Sequence, residues 1–220
     1  DPERLVWVAE RNDKLNLATF TTSSPNFQSW LADPGPVGSL AAVGFATYNL
    51  AGEGEPEQLA GGTLTAGTFA TLGIRPVVGR EFVPAENRVG AARVAMLSEG
   101  LWHRRFGGDR TLVGRAVRLD GQSYTVVGIA PRALNVISPG DVWTPIVFDA
   151  EKDKRLAHLI TAIGRLRPGV TLAQAQRGMD AVARRVGEQY PEVAEWGIRL
   201  VPFPEWIVPP VIRRALAMLL

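Results

Sequence analysis

Residues 101–131 read LWHRRFGGDRTLVGRAVRLDGQSYTVVGIAP, and this stretch decides between a catalytic and a structural interpretation of the chain. His103, two arginines, two glycines and Asp109 lie together, as in a phosphate site or a catalytic His/Asp pair. The glycines, however, follow an apolar helical face, and glycine ends helices because it adopts left-handed backbone without a Cβ penalty. The pair Asp120-Gly121 then stands between alternating runs, which predicts a type I′ hairpin. We therefore interpret the stretch as a helix, a loop and a hairpin.

The composition excludes several classes of protein. The chain has 220 residues, of which 46% are hydrophobic and 21% charged, as in one large globular domain or two small ones. It contains no cysteine, which excludes disulfides and thiolate metal sites. The formal charge is only +2 and the arginines are scattered, so we expect no nucleic-acid partner. The longest apolar runs fall short of the roughly 18 residues that a membrane-spanning helix needs.

Both ends of the sequence carry expectations. It begins Asp1-Pro2-Glu3, without an initiator methionine or signal-peptide pattern, which predicts a processed or excised chain. It ends VPPVIRRALAMLL, which fits either the edge of a longer hydrophobic helix or a buried terminal helix. Trp206, just before this segment, is either a bilayer-interface anchor or packs against the last strand.

The first third of the chain alternates strand and helix signals. LVWVAE, residues 5–10, predicts a strand. Ser24 is expected to cap a helix with Pro25 in its first position, and Phe27, Trp30 and Leu31 to share its apolar face. Two strands around the turn-like GEGEP follow, and then a short helix over residues 67–72 with Thr65 as its cap.

The rest of the chain contains a β-rich middle and a second strand–helix–strand run. In the middle we expect a buried strand at residues 94–97, a helix capped by Ser98, and the hairpin. Thr171 and Gln174 predict a capping box that opens a long amphipathic helix, followed by the strand GIRLVPF. The fold class is therefore α+β: a β-α-β layer split in sequence, with a β-rich subdomain inserted over roughly residues 73–150.

No motif in the chain requires catalysis. No G-x-x-x-x-G-K-[ST] sequence occurs, and AGEGEPEQ lacks the third glycine of a dinucleotide fingerprint. His103 and His158 have no metal-ligand spacing, and Ser98 in LSEG lacks the glycine of a nucleophile elbow. We therefore expect a chain that is not an enzyme, with no catalytic residue, cofactor or metal.

Several runs together resemble a known family. They are NLAGEGEPEQLAGGTLTAGTFATLGIRPVVGREF, ARVAMLSEGLWHRRFGGDRTLVGRAVRLDGQSYTVVGIAP, DVWTPI and IGRLRPGVTLAQAQRGMDAVARRVGEQYP. They resemble, in the family's order, the MacB-like periplasmic core domain of the MacB/FtsX-like ABC transporter permeases, and most closely that of the duplicated ADOP-type permeases. The resemblance implies a porter-like subdomain in two halves, residues 1–72 and 151–205, a Sabre-like insert over 73–150, and a stalk or transmembrane helix start over 206–220.

The resemblance also implies a function and partners. The chain would be an extracytoplasmic domain on the periplasmic side of the inner membrane, coupling cytoplasmic ATP hydrolysis to motion that exports or extracts a substrate. Its partners would be a second permease copy or half, an ABC ATPase, the membrane and a periplasmic adaptor. The alternative is a stand-alone periplasmic ligand-binding or scaffold domain.

This sequence departs from the family pattern at two places. The acidic pair that follows G-R-x-F in the family is Glu86-Asn87 here, which puts a charge-pair role in question. Arg213 and Arg214 would lie near the membrane on the outer side, against the usual bias of positive charge toward the cytoplasm. A stalk above the bilayer would accommodate these membrane-proximal arginines together with Trp206.

Overall fold

The structure is a computed structural model that describes residues 2–52 and 55–207. These residues form eleven strands and five α-helices, joined by short 3-10 turns. The elements in chain order are β1 (Leu5–Asn12), β2 (Leu17–Phe20), α1 (Ser24–Ala32), β3 (Val37–Ala51), β4 (Glu57–Leu64), α2 (Thr68–Leu72), β5 (Val78–Gly79), β6 (Val94–Ser98), α3 (Glu99–Phe106), β7 (Ala116–Leu119), β8 (Gln122–Ala130), β9 (Val142–Pro145), β10 (Ile160–Leu166), α4 (Leu172–Gln189), β11 (Gly197–Pro202) and α5 (Phe203–Ile207). The fold is α+β, as the sequence predicts.

The chain divides into two compact units. Unit 1 consists of Asp1–Leu40 and Asp153–Leu220, and unit 2 of Ala41–Lys152. Strand β3 begins in unit 1 and continues in unit 2. Residues 41–72, which the resemblance assigns to the porter-like subdomain, lie in unit 2 by this division.

Unit 1 is built around β1. This strand pairs antiparallel with β10 on one side and with β11 on the other, and its far end also pairs with β2. Helix α4 packs on β11 through a stripe in which Ala175, Met179 and Val182 are buried. The side-chain amide of Gln176 on this helix donates to Ile198 O at 2.8 Å and accepts from Leu200 N at 2.9 Å. It therefore satisfies backbone groups on the open edge of β11, which would otherwise be free to pair with another chain.

Unit 2 is a closed ring of strands. Strand β3 pairs with β4, β4 with β9, β9 with β6, β6 with β8, β8 with β7, and β7 returns to the end of β3. The ring closes at β7 through two pairs, Leu50 with Leu119 and Ala51 with Arg118. The buried side chains of unit 2 include Leu59, Leu97, Leu101, Leu119, Ile129 and Val142, which form one hydrophobic cluster.

The helix caps and the hairpin turn of unit 2 lie where the sequence predicts them, with one exception. Ser98 caps α3 by accepting from Leu101 N at 2.9 Å, and Gly107 ends the helix with φ of 60°. Asp120 and Gly121 both have positive φ, 48° and 76°, in the turn between β7 and β8. The predicted cap Thr65 is wrong, because α2 begins at Thr68 and Gly67 is its N-cap. The Thr65 hydroxyl instead accepts from Ala42 N at 2.8 Å.

Unit 1 confirms one predicted helix start and corrects another. Thr171 and Gln174 form the expected capping box of α4. The cap of α1 is Ser23 and not Ser24, since the Ser23 hydroxyl accepts from Asn26 N at 3.2 Å. Phe27 and Trp30 are buried as expected, but Leu31 is 47% exposed. Leu31 therefore does not belong to the buried face.

Candidate functional site: the paired chain ends

Residues near both ends of the described chain meet at one edge of unit 1. Strand β1 begins at Leu5 and β11 ends at Pro202, and the antiparallel register pairs Val6 with Pro202. Because the strands run in opposite directions, the start of one lies beside the end of the other. The segments that precede β1 and follow β11 therefore leave the unit 1 sheet side by side.

Aromatic side chains hold these two segments together. The rings of Trp7 and Trp206 are stacked with their centroids 5.8 Å apart, and Phe203 meets Trp206 edge to face at 5.6 Å. The turn Pro2–Arg4 also contacts α5, and Arg4 Nη1 donates to Leu166 O at 3.2 Å. An aromatic pair in this geometry contributes about 0.5–1.5 kcal/mol beyond its buried area.

The structure describes only one of the three predicted membrane-proximal residues, Trp206. Trp206 packs on Trp7 of β1. Arg213 and Arg214 lie outside the described residues. Within residues 2–52 and 55–207, no helix is both long enough and apolar enough to cross a bilayer.

A second cluster in unit 1 is polar and buried. Glu10 on β1 is 1% exposed, and its Oε1 accepts from the Thr22 hydroxyl at 2.6 Å and from Asn26 Nδ2 at 2.8 Å. Its other oxygen, Oε2, lies 2.9 Å from His158 Nδ1. The same nitrogen is 3.1 Å from Thr21 O, so His158 faces two acceptors.

Aromatic rings and one arginine surround this pair. The His158 ring lies 4.3 Å from that of Trp196 and 5.1 Å from that of Phe20, centroid to centroid. Arg155 Nη1 donates to Asn26 Oδ1 at 2.8 Å, and its guanidinium carbon lies 3.3 Å from the centroid of the Tyr190 ring. Burial raises the pKa of Glu10 above its usual value, and its hydrogen bonds and the nearby imidazole only partly oppose this effect.

Sequence reasoning singled out His158 but missed its carboxylate partner. The two residues are far apart in the sequence, and the pairing of β1 with β10 and the bridge between Thr22 and Ile160 bring their surroundings together. One signal was available: Glu10 continues the apolar strand LVWVAE, and a charge at a buried strand position needs a partner.

The Glu86-Asn87 pair of unit 2 forms two separate networks. Glu86 accepts a two-pronged contact from Arg80, with Nη1 and Nη2 at 3.1 Å and 2.7 Å, and also accepts from Val83 N at 2.9 Å. Burial alone would raise the pKa of Glu86, but these donors outweigh it and hold the pKa below its usual value. Glu86 therefore keeps a charge-pair role even though its neighbour is neutral.

Asn87 has a different role from that of an acidic residue. Its Nδ2 donates to Ile146 O at 2.7 Å and to Leu64 O at 3.3 Å, and its Oδ1 accepts from Ala66 N at 2.8 Å. An aspartate could not donate to the two carbonyls. The side chain thus joins the ends of β4 and β9, a role that an aspartate at this position could not fill.

The histidine-arginine stretch of α3 forms no catalytic constellation among the described residues. Arg104 is ion-paired with Glu57 at 2.6 Å and with Asp141 at 3.4 Å. His103 is exposed and its ring lies 4.7 Å from that of Trp102. Within the described part of the chain, no three histidine or carboxylate groups converge as a metal site would need. The stretch is helix, loop and hairpin, as interpreted from the sequence.

Known structures share this architecture. The fold matches a domain of a protein assigned as a permease from Porphyromonas gingivalis, with a TM-score of 0.67 and 19% identity over 91% of this chain and 90% of that one. It also matches the extracellular domain of YknZ, a noncanonic ABC-type transporter from Gram-positive bacteria, with a TM-score of 0.62 and 12% identity over 89% and 99% of the chains.

A third structure and the sequence comparison agree with these matches. The periplasmic region of MacB from Actinobacillus actinomycetemcomitans matches with a TM-score of 0.63 and 10% identity, over 89% of this chain and 88% of that one. No curated protein sequence matches the chain. The sequence profile of the MacB-like periplasmic core domain matches residues 8–182. This match spans most of the chain and includes both units, so the protein belongs to the MacB-like periplasmic core domain family.

Proposed function

We propose that this chain is a non-catalytic domain that couples ATP hydrolysis by a cytoplasmic ABC ATPase to mechanical motion on the periplasmic side of the inner membrane. Family membership supports the permease context and the extracytoplasmic side. The motion would export or extract a hydrophobic substrate such as a lipid, lipoprotein, peptide or drug. The partners would be a second permease copy or half, the ATPase and a periplasmic adaptor.

The pairing of β1 with β11 is the observation that carries the mechanical part. Val6 lies opposite Pro202, so transmembrane helices attached beyond these residues would enter at one edge of the sheet. Two helices that shift together would then displace unit 1 as one piece, without sliding β1 past β11. The Trp7–Trp206 stack would keep the two entry segments in step.

The proposal also assigns the subdomains. Residues 1–72 and 151–205 form the porter-like part, residues 73–150 the Sabre-like insert, and residues 206–220 a stalk or the start of a transmembrane helix. The stalk would hold Arg213 and Arg214 above the bilayer, where charge is tolerated.

The alternative function is a stand-alone periplasmic ligand-binding or scaffold domain. One feature favours it: a surface cleft of about 350 Å³ in unit 1, lined by charged side chains that include Arg11, Asp180 and Arg184. The two functions differ in genetic context. A reading frame with long apolar segments on both sides of these 220 residues supports the permease, and a frame without them contradicts it.

A disulfide across β1 and β11 tests the mechanical part. Val8 lies opposite Leu200, and Leu200 N bonds to Gln176 and not to β1, so these two residues form a non-hydrogen-bonded pair. Such pairs have Cα atoms about 4.5 Å apart, within the range that a disulfide spans. The chain has no cysteine of its own, so the Val8→Cys/Leu200→Cys variant contains a single candidate disulfide.

The variant is assayed in the permease that contains this domain, reconstituted with its ATPase. We expect the oxidised and reduced forms to transport equally, because the joined segments move together. The two single-cysteine variants are the matched controls. Transport that stops on oxidation and returns on reduction, in the double variant only, would mean that the ends must separate, and would refute this mechanism.

A further inference from the structure

Unit 2 contains a cavity of about 310 Å³ beside the loop that leads into β6. The loop contributes Arg88 and Arg93 to the lining, and Tyr124 of β8, Thr144 of β9 and Val147 after β9 contribute the rest of the side chains used below. Sites for small molecules have volumes of roughly 300–1,000 Å³ and combine apolar surface with a few polar groups. The cavity therefore has the size and the mixed lining of a site for a small polar molecule.

The loop that carries both arginines is held at each end by backbone hydrogen bonds. Ala91 N donates to Arg88 O at 3.1 Å, and Gly90 has φ of 79°, the left-handed conformation that the third position of a type II turn needs. Thr125 N donates to Arg93 O at 3.0 Å, which ties the end of the loop to β8. The two arginine side chains therefore start from fixed backbone positions at the cavity.

Arg88 and Arg93 give the cavity a positive charge that no neighbouring side chain balances. Both are exposed, and among the described residues neither guanidinium group lies within 4.0 Å of a carboxylate oxygen. Glu86, the acidic residue of the lining, is already neutralised by the two-pronged contact from Arg80. The two unpaired guanidinium groups thus leave a local charge of +2.

A phosphate monoester matches this charge better than a carboxylate does. It carries a charge of about −1.5 to −2 at neutral pH and presents three acceptor oxygens, so two separate guanidinium groups can bind it together. A carboxylate carries a single charge, and one arginine satisfies both of its oxygens, as Arg80 does for Glu86. The pair of arginines therefore favours a phosphate group.

Thr144 presents a hydrogen-bond acceptor at the same cavity. The Tyr48 hydroxyl lies 2.9 Å from Gly62 O and 2.9 Å from Thr144 Oγ1. A carbonyl only accepts, so the single hydrogen of Tyr48 goes to Gly62 O, and the Thr144 hydroxyl donates to Tyr48. Burial raises the pKa of Tyr48 to about 12, so this hydrogen stays in place at neutral pH. The lone pairs of Thr144 Oγ1 then remain for a donor group of a ligand.

We propose that this cavity binds a small phosphate monoester, with Arg88 and Arg93 on the phosphate oxygens and Thr144 Oγ1 accepting a hydrogen bond from a hydroxyl group of the organic part. The ring of Tyr124 and the side chain of Val147 border the carbon atoms of the ester. The site lies within unit 2 and does not depend on the transport proposal.

Isothermal titration calorimetry on the 220-residue chain at pH 8 and low salt tests the site, with glycerol 3-phosphate as the probe and inorganic phosphate as the comparison. We expect a dissociation constant of about 1 mM or below for glycerol 3-phosphate, and weaker binding of inorganic phosphate. Arg88→Gln and Arg93→Gln should each weaken glycerol 3-phosphate binding roughly tenfold, because each removes a charge-assisted hydrogen bond.

The matched control is Arg75→Gln, which makes the same charge change at an exposed position of unit 2 outside the cavity lining. It should change the dissociation constant by less than about twofold, because salt and water screen a charge that does not contact the ligand. Three results would each overturn the proposal: no binding of glycerol 3-phosphate, equal weakening in Arg75→Gln, or inorganic phosphate that binds as tightly as the ester.

Propyl phosphate tests the role of Thr144, because it has the carbon chain of glycerol 3-phosphate without the two hydroxyl groups. We expect the wild type to bind glycerol 3-phosphate more tightly than propyl phosphate. Thr144→Val removes the acceptor and leaves the bond from Tyr48 to Gly62 O in place, so it should bind the two esters equally. A preference for glycerol 3-phosphate that persists in Thr144→Val would mean that Thr144 does not contact the hydroxyl group, and overturns that part of the proposal.

Discussion

Asn87→Asp is the substitution that tests the account of unit 2 most sharply. The two side chains have nearly the same shape, but aspartate is an acceptor only. Asn87 is 7% exposed, and its Nδ2 donates to Ile146 O at 2.7 Å and Leu64 O at 3.3 Å. The variant keeps the bond from Ala66 N and places a carboxylate oxygen against two carbonyl oxygens.

The expected loss of unfolding free energy is about 3–5 kcal/mol at neutral pH. Two lost hydrogen bonds contribute roughly 1 kcal/mol each, and the buried charge facing carbonyl oxygens adds about 1–3 kcal/mol. Burial and these oxygens raise the pKa of the new carboxyl. Its destabilising charge is therefore present at neutral pH and is removed as the pH falls toward the unfolded value of about 3.9.

Urea unfolding at several pH values, followed by tryptophan fluorescence, measures this effect. The matched control is Asn135→Asp, which makes the same chemical change at an exposed position of unit 2 and should change stability by less than about 0.5 kcal/mol. If Asn87→Asp is as stable as the wild type at neutral pH, or if its deficit does not shrink on acidification, the assigned role of Asn87 is wrong.

Three further predictions concern the edge strand β11, the Glu86–Arg80 ion pair and the turn at Gly121. Gln176→Ala leaves backbone groups of β11 unpaired, so we expect a loss of about 1–2 kcal/mol and self-association that increases with concentration in sedimentation experiments. Because the pKa of Glu86 is lowered in the folded state, its pairing with Arg80 stabilises the fold above the unfolded-state pKa, and this stability is lost as the pH falls through the folded-state pKa. Glu86→Gln should therefore reduce the loss of unfolding free energy at acidic pH. An unchanged loss at acidic pH would contradict the pairing. Gly121→Ala should lower the free energy of unfolding by about 1 kcal/mol in thermal unfolding, because φ at Gly121 is 76°. Gly100→Ala, inside α3 and with its nearest new contact at 3.6 Å, should raise it by about 0.5–1 kcal/mol. Equal effects of the two variants would refute the turn argument.

Local signals predicted most of the elements, because caps and turns depend on neighbouring residues. The Thr171/Gln174 box, the Ser98 cap and the Asp120-Gly121 turn each involve residues that lie close together in the sequence. The errors were also local and small. Ser23 and Ser24 are both good caps by residue type, and the structure uses the first.

The candidate site could be predicted only in part. The sequence identified Trp206 as a residue near the end of the folded domain, and the quoted motifs placed the chain in its family. It did not reveal that Trp7 stacks on Trp206. A stack between two strands from opposite ends of the chain depends on their register, and register is set by the whole sheet.

The α+β class, the family and the absence of cysteine chemistry follow from composition, short periodic patterns and motifs, whereas β2, β5 and α5 were not predicted. Which distant groups meet depends on how the whole chain packs. That packing brought Glu10 to His158, Asn87 to the ends of β4 and β9, and the start of β1 to the end of β11. The physical reason is that buried charges and backbone groups must find partners wherever the fold supplies them, and no spacing along the chain records that choice.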